Sequence, residues 1–175
     1  MKPIANPDQP QATDAVDAIL QQWQQQRPQL DTRFMGPIGR LKRTAALLQQ
    51  QLDRVFSEFE LSAWEFDVLA TLRRSGAPYS LAPTQLFSAL MVTSGTMTHR
   101  MNQLEKRALI ERQANPQDAR SKLVALSPAG LQLIDQALEA HVANQRRILA
   151  GLDADAVDQL DHSLRQLLAL LEPGI

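Results

Sequence analysis

The sequence predicts a mainly α-helical protein with one small β-hairpin. Its 175 residues include only 7 glycines and 10 prolines, so turn signals are few, and the long stretches between them are rich in the helix-forming residues Ala, Leu and Gln. Apolar residues recur there at intervals of three and four, as on one face of a helix. After Leu109 this period gives way to two short strand-like segments around a turn-forming loop.

Composition restricts the class of protein. The chain carries 18 Lys and Arg against 19 Asp and Glu, so its net charge of -1 gives no sign of a uniformly basic surface. The absence of cysteine excludes thiol catalysis, disulfides and Cys-bearing zinc sites, and is compatible with a cytoplasmic location. The sequence contains no run of about 18 apolar residues, and we therefore expect no membrane partner.

The first two helices are predicted from their end signals. Thr13 is a favourable N-cap for the first helix, which Pro28 ends. We place Gly36, Pro37 and Gly39 in the connection to the second helix because these residue types are typical of turns. The apolar stripe of the second helix is Leu41, Ala45, Leu48, Leu52, Val55 and Phe59.

Three helices in close succession are predicted next. Ser62 and Glu65 form the capping box of a helix that runs to about Arg74. Pro83 suits the first turn of a short second helix. The third helix, 93–107, is capped by Thr93 or Ser94, and its buried side is expected to be Met97, Met101 and Leu104.

A hairpin and two long helices complete the prediction. The strands are expected at 110–114 and 123–126, and the loop between them holds one acid and two cations. Ser127 caps the next helix, which Gly151 ends, and Asp153 caps the last one. The helix stripes are Leu131, Ile134, Leu138, Val142, Gln145 and Leu149, and then Val157, Leu160, Leu164, Leu167, Leu168 and Leu171.

This order of elements is that of a winged helix-turn-helix, whose chemistry suits double-stranded DNA. The N-terminal end of helix 93–107 can enter a major groove, and Arg120 at the hairpin tip can enter a minor groove with Asp118 orienting it. Each feature alone is also common on ordinary protein surfaces, and only their order favours DNA. The predicted DNA contacts are Thr93, Ser94, Thr96, Thr98, His99, Arg100, Arg120 and Lys122.

Residues 61–130 resemble the winged-helix core of the MarR family of bacterial transcription regulators. The most specific marks are Leu104-Glu105 with Leu109-Ile110-Glu111-Arg112, the Asp118-x-Arg120 wing, and Leu126-Ser127-Pro128-Ala129-Gly130. The resemblance implies a homodimer with intertwined terminal helices that binds a palindromic operator and usually represses. This chain departs from the family at His99-Arg100, and at Ala108, where a glycine is common; a left-handed Ala108 carries strain of roughly 1 kcal/mol.

The resemblance divides the chain into four parts. We expect a disordered leader at 1–11, N-terminal helices at 12–60 that dimerise and form a wall of a ligand site, the DNA-binding domain at 61–127, and C-terminal dimerisation helices at 128–175. Residues 93–126 contain six cations and three acids, whereas 127–175 contain three cations and seven acids. The near-zero net charge therefore conceals a basic DNA-binding part and an acidic C-terminal part.

One branch of the family, the urate-responsive regulators, has four residues that match Trp23, Asp67, Arg100 and Arg112 of this chain. The resemblance implies a site for a small anionic aromatic ligand such as urate or a phenolic acid, bound by the two cations and the indole. Three alternatives stay open. In these alternatives the residues have structural roles instead of binding a ligand: Trp23 packs the N-terminal helix onto the core, Asp67 and Arg100 form an ion pair, and Arg112 is an ordinary residue at the base of the wing.

No residue pattern predicts catalysis, a metal site or a cofactor. The three histidines fall on different predicted helices without a ligand partner at chelating spacing, and nucleophile and phosphate-loop motifs are missing from the sequence. We expect a protein that is not an enzyme. The competing function is a helical adaptor that keeps the winged fold and binds proteins instead of DNA.

Overall fold

A computed structural model describes residues 13–90, 94–116, 118 and 120–172, with the backbone alone for 94–98. Two compact units divide between Gln50 and Gln51. The described residues form seven helices and three strands, which are α1 Ala15–Gln26, α2 Met35–Glu58, α3 Ala63–Arg74, β1 Ser80–Leu81, α4 Pro83–Leu90, α5 Ser94–Lys106, β2 Ile110–Ala114, β3 Lys122–Leu126, α6 Pro128–Leu149 and α7 Ala154–Leu171. The predicted leader at 1–11 lies outside these residues.

The predicted fold class is confirmed, with one strand more than expected. The three strands form an antiparallel sheet in the order β1-β3-β2. In the hairpin, Ile110 pairs with Leu126 and Ala114 pairs with Lys122. On the other side of β3, Ser80 pairs with Ala125. The two-residue β1 was not predicted, because two residues are too few to show the alternation that identifies a strand.

The predicted N-cap of α1 was one residue too early. Asp14, not Thr13, is the N-cap, and its carboxylate accepts hydrogen bonds from the backbone N–H groups of Val16 and Asp17. The Asp17 carboxylate accepts from the N–H of Asp14 in return at 2.9 Å, which completes a capping box. An aspartate three residues after the cap took the role that the sequence pattern usually gives to Glu or Gln.

The predicted connection before α2 is instead the start of that helix. Gly36, Pro37 and Gly39 lie within α2, which begins at Met35. Proline is tolerated in the first helical turn, where its missing N–H has no partner to lose. A Cβ on Gly39 would lie 3.1 Å from a methyl group of Val16, so glycine at this position allows α1 to approach α2 closely within the first unit.

The core of the second unit is built around α3. Its fully buried side chains include Leu69 and Leu72 on α3, Leu86 on α4, Leu104 on α5 and Ile134 on α6. The predicted capping box is confirmed, since the Glu65 carboxylate accepts from the Ser62 N–H at 2.9 Å. The Ser62 hydroxyl also donates to Glu65 at 2.7 Å. The start of α3 is thereby fixed beside the core.

The predicted buried face of α6 was wrong in its second half. Val142 is 42% exposed and Gln145 is also exposed, whereas Ala137 and Asn144 are buried. The Asn144 side-chain amide donates to the carbonyl of Gln51 at 3.2 Å, which satisfies this buried polar group. The spacing of the apolar residues gives no sign of this face, because one of its buried residues is an asparagine.

The last helix, α7, has an apolar stripe without a buried residue. Asp153 caps it as predicted, and its carboxylate accepts from the Ala156 N–H at 2.8 Å. Leu160, Leu164 and Leu168 are each at least two-fifths exposed. The described part of this single chain therefore leaves the leucine stripe of α7 uncovered.

Candidate nucleic-acid interface

One face of α5 packs against the core of the second unit, and the opposite face is exposed. Met101 and Leu104 belong to the core of the second unit and are 3% and 0% exposed. His99, Gln103 and Lys106 are exposed and line an open groove. A helix that is anchored on one face and polar on the other can enter a major groove without disturbing the core.

The structure places the other predicted contacts of this helix at its N-terminal end. Ser94, Thr96 and Thr98 lie within α5, whereas Thr93 lies outside the described residues. Arg100 is half-buried, and its guanidinium lies over the ring of Trp64 on α3 at 5.3 Å from the centroid. Arg100 therefore has a cation–π contact that the sequence did not predict.

The C-terminal end of α5 is closed by a Schellman motif. The Leu109 N–H donates to the carbonyl of Leu104 at 3.0 Å, and the Ala108 N–H donates to the carbonyl of Glu105 at 2.9 Å. Ala108 has φ +53°, which is the left-handed region. Ala108 therefore has the left-handed conformation for which strain was predicted. Glycine would adopt the same conformation without the steric penalty of a Cβ.

The hydroxyl of Ser127 joins α5 to α6. It donates to the carbonyl of Ala108 at 2.6 Å and accepts from the N–H of Gly130 at 2.9 Å. A Cβ on Gly130 would lie 1.9 Å from the carbonyl oxygen of Leu109, so only glycine fits there. This close approach explains why the serine and the glycine occur together in the motif at 126–130.

The wing between β2 and β3 leaves its cations exposed. The Asp118 carboxylate accepts from the backbone N–H of Arg120 at 3.0 Å, while the Arg120 side chain is exposed. The Ser121 hydroxyl accepts from the Asn115 side-chain amide at 2.8 Å. Lys122 is exposed at the start of β3. Asp118 thus shapes the loop through the backbone of Arg120.

The base of the wing is tied to α5 through Arg112. Its guanidinium donates to the side-chain oxygen of Asn102 at 2.6 Å and lies 3.2 Å from a carboxylate oxygen of Glu105. These contacts hold β2 beside α5. The contacts that the structure gives Arg112 are with Asn102 and Glu105, and its predicted contact with a ligand stays a prediction.

A second ion pair, which the sequence did not predict, holds α5 to α3. The Arg107 guanidinium donates to the Glu65 carboxylate at 2.6 Å, and the Glu65 side chain is 10% exposed. Desolvation favours the neutral acid, but hydrogen bonds from Ser62 and Arg107 outweigh it and lower the pKa of Glu65. The sequence offered only the capping signal at Glu65, because a pairing across 42 positions leaves no local pattern.

The four predicted ligand residues have different surroundings. Trp23 lies on α1 in the first unit and is 38% exposed. Asp67 lies on α3 and lines a cavity, whereas Arg100 and Arg112 make the contacts described above. No ion pair joins Asp67 to Arg100, although both residues are described. A shared ligand site for these four residues stays a prediction.

The cavity at Asp67 has a volume of about 610 Å³ and is lined by residues of α3, α4 and α6. Desolvation raises the pKa of Asp67, and the nearby Arg74 and His141 oppose this shift. Desolvation likewise lowers the pKa of His141, which favours its neutral form, and Asp67 opposes it. Burial therefore disfavours the charged form of both groups.

The described residues contain neither a metal-binding cluster nor a membrane-spanning helix. No three His, Asp or Glu side chains are grouped there as metal ligands would be. No helix in the same part of the chain is long and apolar enough to cross a membrane.

Comparison with known proteins identifies the family. The model of the MarR family matches residues 61–122. The HTH-type transcriptional regulator PecS of Dickeya dadantii is 45% identical over 135 residues, which cover 77% of this chain and 81% of PecS. The chain belongs to the MarR family. Members of this family are transcriptional regulators, and the predicted resemblance is confirmed.

Other MarR-family relatives extend the similarity. The multiple antibiotic resistance protein MarR of Escherichia coli K12 is 28% identical over 137 residues, covering 75% of this chain and 91% of the relative. A structure of its C80S mutant complexed with operator DNA has a TM-score of 0.67 at 26% identity, covering 79% of this chain and 99% of the mutant. The AbsC regulator of Streptomyces coelicolor, at 23% identity and TM-score 0.70, shares the fold and covers 81% of this chain and 95% of AbsC.

Proposed function

We propose that this MarR-family protein is a DNA-binding repressor that binds a palindromic operator as a homodimer and is released by a small anionic aromatic ligand. The observation that carries the proposal is the exposed polar face of α5 beside the exposed Arg120 of the wing. The similarity to a MarR mutant complexed with operator DNA supports it. The net charge of +3 over 93–126, from six cations and three acids, favours association with phosphates.

In this proposal the two DNA-reading elements have different roles. Ser94, Thr96, Thr98, His99 and Arg100 face a major groove together with Thr93, where hydroxyl, imidazole and guanidinium groups meet base edges and phosphates. Arg120 enters the adjacent minor groove, where a narrow A/T-rich groove has the strongest negative potential. Lys122 pairs with a backbone phosphate and contributes affinity without reading sequence.

The test is binding of the full chain to the DNA upstream of its own gene, followed by fluorescence anisotropy and footprinting. We expect two protected half-sites about one helical turn apart and affinity that falls steeply as salt rises. Arg120→Ala should weaken binding roughly ten- to a hundredfold, as expected for loss of a guanidinium that reads a groove. Arg146→Ala is the matched control, because Arg146 is an exposed arginine of α6 outside the wing.

The outcomes separate the functions. Equal affinity of wild type and Arg120→Ala would remove the wing from the proposed interface. Absence of any salt-dependent footprint would favour the protein-binding adaptor over the repressor. Equal weakening by Arg146→Ala would mean that only overall charge matters.

The proposed homodimer rests on the uncovered stripe of α7. Leu160, Leu164, Leu168 and Leu171 are 42%, 41%, 52% and 69% exposed on an 18-residue helix that buries none of its residues. A contiguous apolar stripe of this kind on a helix favours pairing with another helix. We therefore retain the N-terminal helices at 12–60 and the C-terminal helices at 128–175 as the proposed dimerisation parts, on either side of a DNA-binding part at 61–127.

The proposed ligand contacts are Trp23, Asp67, Arg100 and Arg112. Arg100 already contacts the ring of Trp64. Arg112 already contacts Asn102 and Glu105. An anionic ligand that drew either guanidinium away would disturb the position of α5 or of the wing. Ligand binding and DNA binding would then compete through the same two side chains.

Calorimetry with urate, xanthine and salicylate tests the ligand directly. We expect saturable binding of at least one anion, lost in Trp23→Ala and retained in Gln24→Ala, a neighbouring exposed position on α1. The same anion should release the protein from its operator. Binding that is unchanged in Trp23→Ala would contradict the assignment of Trp23 and, with it, the urate-responsive branch.

A further inference from the structure

We propose that Trp64 is a positioning residue for sequence recognition, and that its ring orients the guanidinium of Arg100 toward a guanine in each operator half-site. This inference rests on the proposed DNA-binding function and deepens it, because it names a base that the protein reads and a residue that makes the reading selective. Trp64 lies on α3, outside the helix that is proposed to enter the major groove.

The ring of Trp64 is held firmly in the second unit. Trp64 is half-buried and packs against the core of that unit. It lies two residues after Ser62, the N-cap of α3, and the N–H and hydroxyl of Ser62 both donate to the Glu65 carboxylate. A closed capping box fixes the start of a helix, and core packing fixes a side chain in one rotamer. The ring therefore offers a fixed surface to any side chain that lies over it.

The start of α3 contacts one side of α5 at two points. The Arg107 guanidinium donates to Glu65 at 2.6 Å, and the Arg100 guanidinium lies 5.3 Å from the centroid of the Trp64 ring. Arg100 and Arg107 are seven residues apart, which is about two helical turns, so they lie on the same side of α5. Glu65 thus holds the C-terminal end of α5, while Trp64 holds a side chain in the half of the helix that faces DNA.

The contact with Trp64 leaves the hydrogen-bond donors of Arg100 available. Attraction between a cation and the face of a ring is electrostatic, so it supplies no acceptor for the five N–H groups of a guanidinium. Among the described residues, Arg100 has no hydrogen bond and no ion pair. Arg107 and Arg112, in contrast, are each paired with a glutamate. Of these three arginines, Arg100 is the one that is oriented by the protein with its donors unused.

Guanine is the base that such an arginine fits. In the major groove it presents two adjacent acceptors, O6 and N7, to which one guanidinium can donate at the same time. A free arginine side chain loses rotamer entropy when it forms this bidentate contact, whereas Trp64 has already restricted the side chain of Arg100. Orientation by Trp64 therefore strengthens the contact with guanine and widens the difference in affinity between guanine and other bases.

The test measures base discrimination by the full chain, with fluorescence anisotropy on the operator defined by footprinting. Each G·C pair of one half-site is replaced in turn by A·T. In the wild type we expect replacement at one position to weaken binding roughly tenfold or more, as for loss of a bidentate contact. Arg100→Ala should bind the two operators equally at that position. Trp64→Leu should reduce the preference about fivefold and leave the affinity for the replaced operator unchanged.

Two controls separate positioning from folding. A difluorinated tryptophan introduced at position 64 keeps the shape of the ring and weakens the negative potential of its face. We expect it to lower the preference for G·C without lowering the melting temperature. Tyr79→Leu removes another cation–π contact of the second unit, in which the Arg73 guanidinium lies 4.9 Å from the centroid of the Tyr79 ring before β1. This variant should keep the preference of the wild type.

The outcomes distinguish this inference from the function on which it rests. An equal preference in the wild type and the fluorinated protein would overturn the role of Trp64. A uniform loss of affinity for every operator in Trp64→Leu would also overturn it, because Arg100 would then contact a phosphate and read no base. In both cases a footprint that depends on Arg120 would leave the DNA-binding function intact, whereas the absence of any footprint would overturn both proposals.

Discussion

Ala108 has a left-handed backbone conformation that is unfavourable for a residue with a Cβ. Its φ of +53° closes the Schellman motif at the end of α5, and the Cβ makes this conformation costly. We expect Ala108→Gly to raise the free energy of unfolding by about 0.5–1 kcal/mol, because the relief of strain exceeds the added entropy of glycine in the unfolded chain. Urea denaturation measures the change.

The control for Ala108→Gly is a substitution that should change the free energy of unfolding in the opposite direction. Ala143 lies exposed in the interior of α6. Ala143→Gly should lower the free energy of unfolding by about 1 kcal/mol, since glycine is unfavourable inside a helix. Destabilisation by both substitutions would show that the conformation of Ala108 carries no appreciable strain.

His141 makes the stability of the protein sensitive to mild acid. Desolvation lowers its pKa in the folded state, so the unfolded chain binds a proton more readily below the ordinary pKa of 6.5. The free energy of unfolding should therefore fall as the pH is lowered from 7.5 to 5.5. Asp67, whose pKa is raised, acts in the opposite direction at lower pH, as the carboxyl group becomes protonated.

Thermal denaturation at both pH values tests the role of His141. His141→Gln should flatten the decrease between pH 7.5 and 5.5, and His162→Gln, at an exposed position on α7, should not. A decrease of the same size in all three proteins would assign the effect to other groups.

Among the elements, α1 is held to α2 by a cluster that involves one arginine. Arg40 on α2 lies 2.7 Å from the Asp14 carboxylate and also pairs with Asp17. The hydrogen bond from Arg40 is the main cause that lowers the pKa of Asp14, and the Asp14 N–H and Arg40 lower that of Asp17. The N-cap of α1 is thus also its attachment point within the first unit.

Substitution of Arg40 should loosen α1 while leaving α3 to α6 intact. In Arg40→Gln we expect faster amide hydrogen exchange over 15–26, because the ion pairs between the two helices are lost. Arg33→Gln is the control, since Arg33 pairs with Asp31 within one loop at 3.1 Å. Unchanged exchange over 15–26 in Arg40→Gln would mean that the apolar contacts of Val16 suffice.

Local signals predicted the elements, and contacts between elements escaped prediction. Ser62, Ser127 and Asp153 begin helices as expected, because a cap acts within three residues of itself. The buried face of α6 could not be found, because Asn144 is buried through a bond to a carbonyl 93 positions away. Arg100 and Arg112 were likewise predicted as site residues, but their partners Trp64 and Asn102 were not, because these contacts join different elements.

At the scale of the whole molecule, the exposed leucines of α7 favour the proposed homodimer. Leu164→Glu places a charge in the middle of the stripe, where a helix partner would have to bury it. We expect a monomer at micromolar concentration by light scattering, and operator affinity lowered more than tenfold because two half-sites are no longer bound together.

The control introduces the same charge on the other side of α7. Gln166 is exposed and lies outside the leucine stripe, so Gln166→Glu should remain dimeric. If wild type is itself monomeric at these concentrations, the proposed role of α7 in dimerisation is wrong.

The anchoring of α5 separates the residues that maintain the fold from those that face outward. Met101, Leu104 and the bridge through Ser127 fix the helix from its inner side and its C-terminal end. His99, Gln103 and Lys106 take no part in that support. These three positions can therefore be randomised in a selection library with the scaffold retained, which makes the protein a starting point for regulators with new operator preferences.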